Sequence, residues 1–192
     1  LVLPPYVAPV QVRIIEIFGN KNPEVVKVAA DLARELKTYR VDIDSSDKGP
    51  GYKAAEAEIK GIPIRIEVGP KGLENGEVTI VRRDNGDKTD VKISDVKSFV
   101  KDLIPTIHEN MYQNALKFRD QNTKTVTTEA ELANQVKTGY ALTPWCGEVA
   151  CENHIKDTYQ ATSRCIPDAN PSAKGHTCAC GCNKPATKFE DR

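Results

Sequence analysis

The spacing of apolar positions switches along the chain between β-branched runs, helical spacing and strict alternation, and each switch predicts an element. Over 10–18 the run Val10, Val12, Ile14, Ile15 and Ile17 predicts a buried strand. Asn22 then stands where an N-cap is expected, with Pro23 and Glu24 in the first turn. Val25, Val28, Ala29, Leu32 and Leu36 recur at helical spacing and bury one face over 23–38. Val41 and Ile43 make a short second strand, Gly49-Pro50-Gly51 breaks the chain, and 52–60 predicts a second helix. Beyond Gly61 the period becomes two: Ile62, Ile64, Ile66 and Val68 alternate with Pro63, Arg65 and Glu67. A loop from Gly69 to Gly76 leads into a strand over 78–81, Asp84-Asn85-Gly86-Asp87 predicts a hairpin turn, and 89–93 returns as the partner strand. Ser94 is placed to cap a long helix reaching about Gln121, with Val96, Phe99, Val100, Leu103, Ile107, Met111, Leu116 and Phe118 as apolar positions and Pro105 as a kink or split.

The resulting order, β-α-β-α-β-β-β-α, predicts an α/β fold: a five-stranded mixed sheet flanked by helices. Residues 1–9, with three prolines, predict an extended lead-in, and 10–122 the α/β domain. A polar linker (121–127) and a short amphipathic helix (129–137) introduce a small α+β module over 123–192. That module is poor in aliphatics and rich in turn residues, so little core is available to it unaided.

Charge narrows the picture slightly. Lys+Arg and Asp+Glu both total 27, so the net charge is zero and no strongly basic nucleic-acid surface follows from the total. The apolar runs are strand-sized, which predicts no membrane span. The chain starts at Leu1 and its one methionine is Met111, which predicts a piece of a longer protein.

All six cysteines follow residue 145: Cys146-x4-Cys151, Cys165, and Cys178-Ala179-Cys180-Gly181-Cys182. Such clustering serves either disulfides or a metal site. There is no apolar signal segment at the start, and 28% of residues are charged, which favours a cytoplasmic metal site. Zn²⁺ takes four thiolates tetrahedrally, commonly as two close pairs separated by a longer loop. Cys146/Cys151 and two of the three late cysteines meet that description. Four thiolates close the coordination sphere, so the expected role is structural, without a metal-bound water.

Several stretches then resemble one family in the right order. Leu3-Pro4-Pro5-Tyr6-Val7-Ala8-Pro9-Val10-Gln11-Val12, Gly49-Pro50-Gly51-Tyr52-Lys53, 58–71 (Glu58-Ile59-Lys60-Gly61-Ile62-Pro63 through Gly69-Pro70-Lys71) and Val81-Arg82-Arg83-Asp84 are similar to the anticodon-binding domain of prolyl-tRNA synthetases. Pro144-Trp145-Cys146-Gly147-Glu148, Ala150-Cys151-Glu152 and Arg164-Cys165-Ile166-Pro167 resemble the C-terminal zinc module of the archaeal/eukaryotic-type, class II enzymes.

The resemblance implies a homodimeric, cytoplasmic parent that activates proline with ATP and Mg²⁺ and transfers it to proline tRNA. The catalytic motifs would lie upstream, in a domain partnering this segment. The segment itself would read the two adjacent guanines of proline anticodons. Arginine donates to guanine O6 and N7, and a carboxylate accepts from N1–H and N2–H₂ of an unstacked base. The family match places Glu58, Arg65 and Lys71 in this role, with Lys88 one position off the family's hairpin contact; Arg82 and Arg83 are candidates for phosphate contacts. From pattern alone the same residues are ordinary solvated charges: Arg65 and Glu67 on an outward strand face, Glu58 on a helix surface. The match also implies Cys146 and Cys151 as the first ligand pair and Cys178 and Cys180 as the second, Cys182 being a spare thiol or an alternative to Cys180. Cys165 is expected to be a buried small hydrophobe, and His108, His154 and His176 not to ligate.

Departures from the family fall at Asp44-Ser45-Ser46-Asp47, at Ala54-Ala55-Glu56-Ala57 where relatives carry aromatics, and at the C-terminus, where some relatives end in tyrosine. The competing reading is a free-standing protein-docking adaptor of the same fold, with a structural zinc and no RNA. No Ser/His/Asp set or phosphate loop points to an enzyme in its own right.

Overall fold

A computed structural model describes all residues 1–192. The chain divides into two compact units, 1–114 and 115–192. The first is built on a five-stranded sheet: β1 (Val12–Glu16), β2 (Val41–Asp44), β3 (Ile64–Val68), β4 (Glu77–Arg82) and β5 (Lys88–Lys92). The spatial order is β2-β1-β3-β4-β5, with β1 parallel to both neighbours and β3-β4-β5 antiparallel. The mixed sheet thus forms as the periodicity predicts.

Helix α1 (Pro23–Glu35) begins where Asn22 accepts the backbone N–H of Glu24, so the N-cap and following proline act as expected. Its apolar face, with α4 (Val96–Asn122), packs on the sheet face formed by Val12, Ile14, Ile64, Ile66, Val78 and Ile80. Pro105 lies within α4 without ending it, and Ser94 does not cap the helix: it sits inside a short 3₁₀ turn (Ile93–Asp95), where its hydroxyl donates to Asp95 Oδ1 at 2.9 Å. Helix α2 (Pro50–Ile59) covers part of the opposite face. Lys53, part of the motif that carries the family resemblance, is buried there. Its Nζ donates to the carbonyls of Glu16 (2.8 Å) and Asp44 (3.1 Å), tying the ends of β1 and β2 together. The stretch read as a loop from Gly69 holds a single helical turn, α3 (Pro70–Leu73).

The second unit carries a three-stranded sheet, β6 (Thr123–Thr125), β7 (Tyr140–Trp145) and β8 (Lys188–Asp191), in the order β6-β7-β8. Periodicity left β6 unassigned because its three residues are all polar. Helix α5 (Glu129–Gln135) starts with a capping box: Thr128 accepts the Glu131 N–H while Glu131 accepts that of Thr128. Helix α6 (Val149–Tyr159) follows β7. The core of this unit joins Leu132, Ala141 and Ile155 to Cys151, Cys178 and Cys180, so thiols fill space that aliphatics fill elsewhere. No helix in the chain is long and apolar enough to cross a membrane.

Candidate functional site

Strand register builds the first site. Successive residues of a strand face opposite sides of its sheet, so the face opposite Ile64 and Ile66 carries Arg65 and Glu67. Across it run two rows: Asp42–Arg13–Arg65–Val81–Lys88 and Asp44–Ile15–Glu67–Thr79–Asp90. Lys88 therefore joins Arg65 in one row, although it lies 23 residues away by number (88 − 65). At Arg65 this face is not the solvated surface that alternation suggests. Arg65 is only 7% exposed because α2 closes over it.

Two carboxylates hold the Arg65 side chain. Its Nε donates to Glu67 Oε1 at 2.8 Å and its Nη1 to Glu58 Oε1 at 3.1 Å, which leaves Nη2 outside both ion pairs. Glu58 is itself half exposed, at 49% of its side chain. It sits near the end of α2, before a turn that requires glycine. Gly61 has φ 68°, and a Cβ there would lie 2.8 Å from Leu1 Cγ. That turn sends the chain straight into β3, which is how Glu58 and Arg65 meet.

Glu58, Arg65, Arg82, Arg83 and Lys88 line one cavity of about 310 Å³, with Ala57 in its wall. Within it the roles diverge. Arg82 does not offer a free guanidinium to phosphate, because it grips Asp84 through two hydrogen bonds of 3.0 and 2.7 Å. Arg83 has a buried Nε without a partner. Lys71 is exposed and lies apart from these residues, on a second cavity of about 500 Å³ whose wall includes Glu67. Phe18, which sequence reasoning passed over, lines that second cavity; as one aromatic at a strand end it carried no pattern that sets it apart.

The second site lies in the module. Cys146 follows directly on β7 and Cys151 occupies the first turn of α6. Gly147, at φ 92°, turns the chain between them. The other thiols come from a knuckle in which the Cys178 N–H donates to the Lys184 carbonyl (2.9 Å) and the Ala179 N–H to the Pro144 carbonyl (2.9 Å). Gly181 and Asn183 adopt left-handed backbone angles there, φ 77° and 58°. The Sγ atoms of Cys146, Cys151, Cys178 and Cys182 all lie within 4.8 Å of one another. Cys180 is buried and 3.4 Å from Cys178 through sulfur, yet falls outside that set of four. The left-handed residues on either side of Cys182 swing it toward Cys146 and Cys151, so the geometry favours the alternative fourth donor, Cys182, over Cys180.

All six thiols are free. Burial pushes the Cys151, Cys178 and Cys146 thiols above the usual range. The Lys184 N–H holds Cys182 down to about 7. Backbone N–H groups two residues on also point at sulfur from Glu148 (to Cys146) and Cys180 (to Cys178). Four soft donors with N–H groups aimed at them fit a tetrahedral thiophilic ion. His154 pairs with Glu129 (2.7 Å) and His176 packs edge-on to Phe189, so neither enters the set. His108 packs at a tilt against Tyr6, with ring centroids 4.6 Å apart. Cys165 is exposed rather than buried as a small hydrophobe; an isolated bridge to Asp191 fixes its backbone and leaves the thiol outside.

Comparison with known proteins resolves what these two sites belong to. Residues 11–103 match the anticodon binding domain family, and residues 130–189 match the family described as prolyl-tRNA synthetase, C-terminal. The chain belongs to the prolyl-tRNA synthetase family. It is 45% identical over 190 residues to a proline–tRNA ligase of Mesoplasma florum, covering 97% of this chain and 39% of that protein. A proline–tRNA ligase of Clostridium botulinum (strain Loch Maree) is 42% identical over 189 residues, and one of Oceanobacillus iheyensis 42% over 191, each again covered to 39%. The chain thus spans about 39% of the length of these synthetases. Neither family match favours the free-standing docking adaptor.

Proposed function

We propose that this segment reads the anticodon of proline tRNA for a parent proline–tRNA ligase. The observation that carries the reading is the cavity shared by Glu58, Arg65, Arg83 and Lys88, inside the region that matches an anticodon-binding domain. Arg65 is already fixed by Glu58 and Glu67, so little side-chain entropy is lost when a base arrives. Its remaining donors meet the O6/N7 edge of a guanine, while Glu58 accepts from N1–H and N2–H₂. Lys88 and Arg83 supply positive charge beside the RNA backbone, and Lys71 does so from the adjoining cavity.

The rest of the parent, with ATP and Mg²⁺, supplies proline activation and transfer, as a homodimer in the cytoplasm. In the module, Cys146, Cys151, Cys178 and Cys182 hold one structural Zn²⁺, whose donor set is all sulfur and leaves no open position. The ion would cross-link β7, α6 and the 178–184 knuckle.

The test is binding of an anticodon stem-loop from proline tRNA at fixed salt. Arg65→Ala should weaken it about tenfold to a hundredfold, in line with ~1–3 kcal/mol for a specific base contact. Replacing the two guanines should weaken binding to the unmodified chain similarly and add little in Arg65→Ala. Affinity indifferent to both guanines would end the proposal.

A further inference from the structure

Phe18 is held in an unfavourable conformation for no packing reason. It follows β1 with φ 57° and ψ 33°, the left-handed region that a bulky side chain avoids, yet it is 57% exposed. Glycine or asparagine would make the same turn with less strain, and no burial offsets the difference. Strain of this kind gathers where a side chain is needed in one place.

The place is the cavity of about 500 Å³, within the roughly 300–1,000 Å³ range of small-ligand pockets. Its walls are apolar at Ile17, Phe18 and Val78 and charged at Glu67, Glu77, Asp90 and Lys71. Three carboxylates against one ammonium disfavour a phosphate and suit a flat ring with amino or N–H donors on its edge. Asp90 takes one bond from Thr79 Oγ1 at 2.6 Å through Oδ1, leaving Oδ2 outside that bond. Glu67 also bonds Arg65, which lines the cavity assigned to guanine.

We infer that Phe18 is a stacking platform for an unpaired base adjoining the two anticodon guanines. Glu67 and Asp90 accept from its donor edge, and Lys71 meets the backbone at the mouth. The inference rests on the anticodon reading proposed above. Stacking tolerates any base, which suits the neighbours of the guanine pair.

The test uses the 192-residue chain and proline stem-loops bearing 2-aminopurine on either side of the guanines. Binding should quench the probe at one flank. Phe18→Gly should leave the protein at least as resistant to urea, because the left-handed turn is relieved. The same variant should lose the quench and weaken binding roughly tenfold, as loss of one base–aromatic stack does. Phe18→Tyr should restore both. An abasic nucleotide at the responsive flank should erase the difference in affinity between the unmodified chain and the Phe18→Gly variant. Wild-type affinity in Phe18→Gly with no Phe18-dependent quench at either flank, while Arg65→Ala still weakens binding, overturns the inference. If Arg65→Ala also has no effect, the anticodon reading itself has failed.

Discussion

At the residue scale the most exacting position is Cys182. It stands two residues from Cys180 in a near-repeat, and composition gives no reason to prefer either. Backbone conformation separates them: Gly181 and Asn183 are left-handed, and Cys180 turns its N–H to the sulfur of Cys178 and takes its own sulfur out of the four. Cys182→Ser should therefore lower bound zinc from one equivalent to well below one at micromolar metal, measured by mass spectrometry of the native protein. Cys180→Ser should keep the full equivalent. The opposite ranking would show that the knuckle rearranges when metal binds. Arg65 makes the related point for the first unit. Its residue type and family match were legible, but its burial was not, because alternation shows which residues share a face and not whether a helix later closes over that face.

At the scale of elements, the β4–β5 hairpin depends on Asp84. Its side chain is 2% exposed and accepts from Arg82 and from Asn110 of α4, the latter at 2.7 Å. Burial alone would raise its carboxyl, but the hydrogen bonds from Arg82 and Asn110 outweigh burial and hold it below the usual value. A carboxyl depressed in the folded state contributes stability above its unfolded value of about 3.9 and loses it as pH falls through the folded value. Asp84→Asn should cost about 2 kcal/mol at pH 7 in urea unfolding, less than the ~3–5 kcal/mol of a wholly buried pair because Arg82 keeps some solvent contact. The penalty should shrink below about pH 4, where the wild-type carboxyl also becomes neutral. The turn signal Asp84-Asn85-Gly86-Asp87 was readable in the sequence. The tie to Asn110 was not, since nothing local links a hairpin to a helix 26 residues away.

For the whole molecule, the division at 114/115 separates two sources of stability. The first unit buries a broad aliphatic core around its sheet, including Val12, Ile14, Ile64, Ile66, Ile80 and Ile107. The second has a small core in which three cysteines stand among the buried residues. Metal binding in modules of this kind contributes apparent free energies on the order of 10 kcal/mol, so its loss should fall almost entirely on residues 115–192. Prolonged chelation at pH 7 should raise amide exchange across β7, α6 and β8 by orders of magnitude while β1, β3 and α1 keep their protection. Uniform deprotection of both units would show instead that they unfold together.

Hydrophobic periodicity by itself determined the five strands of the first sheet, the helices against it and the change to a thiol-dependent module, because these follow from which side chains water excludes. The thiophilic donors and the guanine-reading candidates were likewise present as residue types at recognisable spacings. Tertiary structure alone decided which thiols converge, that Arg65 is buried between two carboxylates, that Arg82 is committed to Asp84, and that Phe18 faces a cavity. Each of these depends on a strand register, a left-handed turn or the closure of a helix over a sheet, relations between distant parts of the chain that no local pattern encodes.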